Sequence, residues 1–139
     1  MSRIAIFTSD THVQNSSLFA RPLEEGITTS AEQAFRFLRW LRDFAREQQA
    51  NVILHGGDLF TQKNVIPVPL FNKTYDIFRE ICAERRVVAI PGDHDRYVNA
   101  TNVHTLHAFE EIANFHVCSR AEVLQIFPGR RADRDSGWL

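Results

Sequence analysis

Three short apolar runs alternate with two longer stretches of helical period, and few folds accommodate that order. Ile4-Ala5-Ile6-Phe7, Val52-Ile53-Leu54 and Val87-Val88-Ala89-Ile90 are continuous and rich in β-branching. Such runs suit strands covered on both faces. They predict strands at 3–9 and 51–54, and a third strand with its turn at 87–95. Between the first two, residues 30–49 place Ala34, Leu38, Leu41 and Ala45 on one face of a helix. Ser30 and Gln33 form a capping box at its start. Between the second and third, a helix is expected from Pro67 and Pro69, which suit a helix start, to about Glu84. Phe71, Tyr75, Phe78 and Cys82 would form its inner face. Glu84-Arg85-Arg86 closes it, where cations suit the helix dipole. Strand, helix, strand, helix, strand with right-handed crossovers gives an α/β fold, a βαβαβ unit with a mainly parallel sheet flanked by helices.

The remaining stretches are less regular. Residues 13–29 form a long loop whose Leu18, Phe19, Leu23 and Ile27 should pack it down. A helix is expected within 99–112, with Val103, Leu106 and Phe109 inward and His104 and His107 as surface or capping groups. His116-Val117-Cys118 and residues 123–127 read as two further short strands. Residues 129–139 are charged and aperiodic, so the expected organisation is one domain over 1–128 and a disordered tail over 129–139.

A chain of 139 residues is long enough for one domain with a real core. Its net charge of -1 excludes a bulk basic field of the kind that drives non-specific nucleic-acid binding. Arg36, Arg39, Arg42 and Arg46 do share one side of the first helix. That stripe could contact phosphates, or be a solvated face balanced by Glu32, Asp43 and Glu47. The two cysteines, Cys82 and Cys118, have no paired spacing and read as buried, reduced thiols. No signal peptide or membrane-length apolar run is present, so a cytoplasmic location is expected.

Each strand ends in polar, metal-competent residues. The first ends in Ser9-Asp10-Thr11-His12, the second in His55-Gly56-Gly57-Asp58 and the third in Pro91-Gly92-Asp93-His94-Asp95. In parallel α/β sheets ligands bind at the carboxyl ends of the strands. Parallel pairing places all three ends on one edge, so Asp10, His12, Asp58, Asp93 and His94 can converge. Asp10 and His12 are two apart and point the same way on extended backbone. His55 lies inside its strand end and reads as a packed, hydrogen-bonded side chain. Carboxylate and imidazole without thiolate suit manganese, iron or zinc. A central Asp58 could bridge two ions about 3.5–4 Å apart, an arrangement that clamps a phosphate. His94 is placed to protonate a leaving oxygen or to hold the phosphoryl oxygens.

Asp10-x-His12, Gly57-Asp58 and Gly92-Asp93-His94-Asp95, in this order, resemble the calcineurin-like metallophosphoesterase superfamily. Ser9-Asp10-Thr11-His12, the Ala34-Phe35 helix and Gly57-Asp58-Leu59-Phe60 are most similar to the SbcD-type DNA repair nucleases. The resemblance spans about residues 4–114. It implies that Asp10 and His12 bind a first metal, Asp58 bridges both, Asp93 binds the second and His94 acts on the leaving group. It further implies two divalent ions, most readily Mn2+, a DNA substrate, a homodimer and an SbcC-type SMC-like ATPase partner. Two departures stand out. The family carries Asn where this chain has Asp93, and it supplies further metal-binding histidines in a Gly-His-x-His motif that has no counterpart after Asp95. The chain therefore resembles the first half of such an enzyme, which would expose apolar sheet. The readings are a metal-dependent phosphodiesterase or nuclease, a metallophosphoesterase acting on other phosphoesters, or a non-catalytic metal-binding module.

Overall fold

Parallel pairing follows from the strand–helix–strand order, and the computed structural model, which describes residues 3–16, 18–98 and 102–127, shows it throughout. β1 (Ala5–Thr8), β2 (Val52–His55), β3 (Arg86–Ala89) and β4 (Phe115–Val117) form one sheet in the order β1-β2-β3-β4, all parallel. Ile6 sits opposite Ile53, Ile53 opposite Val87, and Val87 opposite Phe115. α1 (Thr29–Glu47) and α2 (Val68–Glu84) supply the first two crossovers. Strands added in one direction by right-handed crossovers put every helix on the same face. Ile53, Val87, Ala89, Phe115 and Val117 accordingly share one core with Phe35, Leu38, Leu41, Phe78 and Ile81.

The other face is only partly open: Val52 and Val88 are buried there, but its margins are not covered. Phe7 is 70% exposed and Ile90 47%. The exposed apolar sheet expected of a half-fold is present on β1 and just beyond β3.

The aromatic content has a clear use. Phe109, on a 3-10 turn at His107–Glu111, meets Phe71, Tyr75, Phe78 and Phe115 with ring centroids 5.4–5.8 Å apart. These separations suit edge and offset contacts between rings. The cluster fastens the β3–β4 connection to α2.

Several expectations need correction. α1 starts at Thr29, and no side chain caps it, so the Ser30–Gln33 box does not form. Its buried residues are Ala31, Phe35, Leu38, Leu41 and Ala45. The arginine stripe is largely taken up by carboxylates. Arg39 pairs with Glu32 at 2.5 Å and Arg46 with Glu84 at 2.6 Å, while Arg42 pairs with Glu80. Glu80 and Glu84 lie on α2, so these arginines lock helix to helix. Arg85 pairs with Glu84 at the end of its own helix, at 3.0 Å, and also reaches α1. Its guanidinium donates to Ala45 O at 2.9 Å and Ala50 O at 2.8 Å, satisfying carbonyls at the end of α1.

Among the described residues of the 13–29 loop Val13 and Ile27 are buried, whereas Phe19 is 93% exposed and Leu18 and Leu23 face solvent. Hydrogen bonds hold this loop instead. Asn15 Nδ2 donates to Gly26 O at 2.9 Å, and Asn15 Oδ1 accepts from Thr28 N at 3.1 Å. Residues 123–127 are not a strand, and His104 is buried, not a surface group. Cys118 is only half-buried, although Cys82 is buried as expected. The tail at 129–139 lies outside the described residues. No helix among the described residues is long and apolar enough to cross a membrane.

Candidate metal centre

The β1–β2 ladder does not stop where the strands end. Asp10 N donates to Gly57 O at 2.9 Å, His12 N to Asp58 O at 3.0 Å and Val13 N to Leu59 O at 2.8 Å. These bonds clamp the first turn onto the second. Their backbone is unusual, because Asp10, His12 and Asp58 have φ values of 56°, 48° and 55°. Left-handed conformation is costly for residues with a Cβ, and such residues gather where function demands a side-chain direction.

The side chains so directed converge. Asp10, His12 and Asp58 bring one ligand atom each within 4.8 Å of the others. His12 Nε2 lies 3.5 Å from Asp10 Oδ1 and 3.8 Å from Asp58 Oδ2. The other ring nitrogen, Nδ1, is 3.4 Å from Thr61 Oγ1, which leaves Nε2 facing both carboxylates. Ser9 Oγ donates to Asp10 Oδ2 at 2.5 Å, and this bond, with His12 beside it, holds the Asp10 carboxyl below the usual carboxylate range. Two carboxylates and an imidazole with a common focus fit a divalent ion of the manganese, iron or zinc type.

The third turn packs against the second through two glycines. A Cβ built on Gly57, whose φ is 108°, would lie 2.7 Å from Gly92 Cα, and one on Gly92 would lie 2.1 Å from Asp58 Oδ1. That contact puts His94 beside the cluster. His94 N donates to Asp58 Oδ1 at 2.9 Å, and its ring centroid is 5.2 Å from that of His12. Nδ1 lies 2.8 Å from Thr61 O. A carbonyl only accepts, so Nδ1 carries a proton and Nε2 is the nitrogen left for exchange.

Asp93 and Asp95 part company. Asp93 is exposed, and Lys63 Nζ sits 3.3 Å from its Oδ2, outside the Asp10–His12–Asp58 group. Asp95 is fully buried. It accepts from Leu59 N at 3.0 Å, Phe60 N at 3.2 Å and Gly92 N at 2.9 Å. It is thus a brace between the second and third turns. Thr61 and Lys63 are contributors that the sequence reading passed over, because a polar loop gives no sign of which residue turns back.

His55 is buried, as expected of a packed histidine. Gly57 N donates to Nδ1 at 3.2 Å, so the proton is on Nε2, which donates to Thr11 Oγ1 at 2.9 Å. Burial pushes its pKa down, against the pull of Asp95, Asp10 and Asp58. Burial pushes His104 down likewise. The unfolded chain therefore takes up these protons first as the pH falls. Stability is complete above the unfolded value, about 6.5, and is lost below it, by at most about 1.4 kcal/mol per pH unit for each histidine. Melting curves at pH 7.5 and 5.5 should show lower stability at the acid end. His55→Gln should reduce that dependence; an unaltered slope would mean that His55 contributes none of it.

A cleft of about 490 Å³ opens beside Asp10 and His12, lined also by Ser9, Thr11, Gln33 and Phe37. Its mixed polar and aromatic wall can hold a substrate group next to the ligand cluster.

The nuclease MPE of Pseudomonas putida, a solved structure, is similar in fold. It superposes with a TM-score of 0.50 at 16% identity, over 82% of this chain and 46% of its own. This chain thus spans about half the length of that structure. No curated protein matches the sequence. The profile of the calcineurin-like phosphoesterase family matches residues 5–131, nearly the whole sequence, and the chain belongs to that family.

Proposed function

We propose that this chain carries the ligand-bearing half of a metal-dependent phosphodiesterase acting on DNA, of the SbcD type. The observation that carries the reading is the convergence of Asp10, His12 and Asp58 from two strand ends, with His94 from a third. Asp10, His12 and Asp58 would hold a divalent ion, and Asp93 would help hold a second. Mn2+ is the expected ion. A divalent ion held there supplies Lewis acidity toward phosphoryl oxygens. The chain's own residues bind and orient the ester. His94, steadied by Thr61 O, delivers a proton from Nε2 to the leaving oxygen when its ring is charged. Lys63 offsets the extra negative charge at Asp93, where a neutral residue would present less repulsion to a phosphodiester. An SbcC-type ATPase and a second copy of the chain are the proposed partners, and a structural neighbour that is a nuclease supports a nucleic-acid ester as substrate.

Metal retention after dialysis and cleavage of linear duplex DNA test this together. A complete site should retain close to two Mn2+ ions and a half site one. Asp58→Asn should weaken retention by about 10–100-fold. His94→Ala should keep the metal and lower cleavage by about 10²-fold or more. Faster hydrolysis of a small chromogenic diester than of DNA would favour a non-DNA phosphoesterase. Metal binding without hydrolysis of either would leave a binding module, and unchanged retention in Asp58→Asn would sink the site.

A further inference from the structure

β4 carries side chains that the site above does not use. Phe115 and Val117 point into the core, so His116 and Cys118, two apart, stand on the opposite, partly open side of the sheet. Cys118 N, donating to Ala89 O at 2.8 Å, keeps that residue in line with the strand. The chain then returns across this face. Arg86 Nη1, on the neighbouring strand, donates to Gln125 O at 3.0 Å and fixes the returning segment. Glu122 is thereby brought over His116 and Cys118. One ligand atom from each of the three lies within 4.8 Å of the others. His116 Nε2 and Glu122 Oε1 are 3.0 Å apart. Tetrahedral bonds of about 2.0–2.3 Å need edges of roughly 3.3–3.8 Å, so small rotations suffice to seat an ion.

We propose that His116, Cys118 and Glu122 form a second metal site, one that takes a single ion of the zinc class. One nitrogen, one sulfur and one oxygen make a borderline-soft donor set. Thiolate disfavours Mg2+, Ca2+ and Mn2+ and favours Zn2+. The thiol enters as thiolate, and its proton goes to solvent as the metal–sulfur bond forms. Three protein ligands leave the fourth position to water or to a group from outside. The ion would staple residues 119–125 to the edge of the sheet, where main-chain bonds are few. The site is independent of the phosphoesterase reading, since the Asp10 cluster contains no sulfur.

Titration of the purified chain with Co2+ tests it, because thiolate bound to Co2+ gives a charge-transfer band in the near ultraviolet that oxygen and imidazole ligands do not. The band should saturate at one equivalent, disappear in Cys118→Ser, weaken at least tenfold in affinity in His116→Ala and persist in Asp58→Asn. Zn2+ should displace it, and with the Asp10 cluster disabled by Asp58→Asn it should still raise the melting temperature, a rise that adding Cys118→Ser removes. Absence of the band, or its survival in Cys118→Ser, overturns the proposal. If Cys118→Ser does not fold, His116→Ala decides the matter: unchanged Co2+ affinity there also overturns it.

Discussion

Asp95→Ala should lower the unfolding free energy by about 3–5 kcal/mol, the largest single loss expected outside the apolar core. The carboxylate is fully buried and accepts from the backbone N–H groups of Leu59, Phe60 and Gly92. Alanine would leave all three donors without a partner, and water has no route to replace it without opening the turns. Each unsatisfied donor costs about 1–3 kcal/mol, partly relieved by local relaxation. Against a total stability of roughly 5–15 kcal/mol for a domain of this kind, the variant should melt at least ~10 °C lower. Asp95→Asn is the informative companion. It keeps shape and one acceptor, but its amide group must face a donor, so it should lose about 2 kcal/mol. Both should weaken Mn2+ binding, because Leu59 and Phe60 follow Asp58 directly. A near-native melting temperature for Asp95→Ala would show that the turns are held by something other than this carboxylate.

Asp95 also marks the boundary of what the sequence makes legible. Gly92-Asp93-His94-Asp95 presents two carboxylates in equivalent company, and nothing local says which turns inward. The answer depends on the second turn, 36 residues away, whose N–H groups point at Asp95. The parallel sheet was legible because apolar runs and their crossovers are local patterns joined by a general rule of handedness. The same rule put the three strand ends on one edge. Over residues 102–112 the structure departs from the expected α-helix for a physical reason; residues 99–101 lie outside the described residues. Leu106, Phe109 and Ile112 are buried at a spacing of three, the period of a 3-10 helix and not of an α-helix. On α2 Phe78 and Cys82 are buried as expected, together with Leu70, Thr74, Ile77 and Ile81, whereas Phe71 and Tyr75 lie at the margin and meet Phe109. Aromatic bulk at helical spacing drew attention away from the smaller residues that face the sheet. Residues 123–127 have strand-like composition, but a strand needs a neighbour with free ladder groups, and this segment crosses the partly open face instead. The arginine stripe could not be resolved without knowing that Glu80 and Glu84 would come alongside.

Gly92→Ala should disrupt the metal centre more completely than loss of any one ligand, and for a purely steric reason. The added Cβ would stand 2.1 Å from Asp58 Oδ1 and 2.3 Å from Asp58 N. The side chain could rotate away, but the backbone nitrogen could not, so the second and third turns must separate. Separation breaks the His94 N to Asp58 Oδ1 bond and strains the ladder that holds Asp10 and His12. Overpacking of this kind costs about 3 kcal/mol, and Mn2+ affinity should fall by about 10–100-fold or more. Gly26→Ala separates this effect from the ordinary cost of replacing glycine. Gly26 has φ of 72°, yet a Cβ there meets only Pro69 Cγ at 3.5 Å. It should lose about 1 kcal/mol from left-handed backbone alone and bind Mn2+ as the unmodified chain does. Gly57→Ala combines both penalties, since its φ is 108° and its Cβ would lie 2.7 Å from Gly92 Cα. Thermal melts with and without Mn2+ should therefore rank Gly26→Ala mildest in both readouts, with the Gly92 and Gly57 variants losing most of the metal-induced rise. Native Mn2+ affinity in Gly92→Ala would mean that Asp58 is not held in the geometry that makes it a ligand, and that the three strand ends do not act as one site.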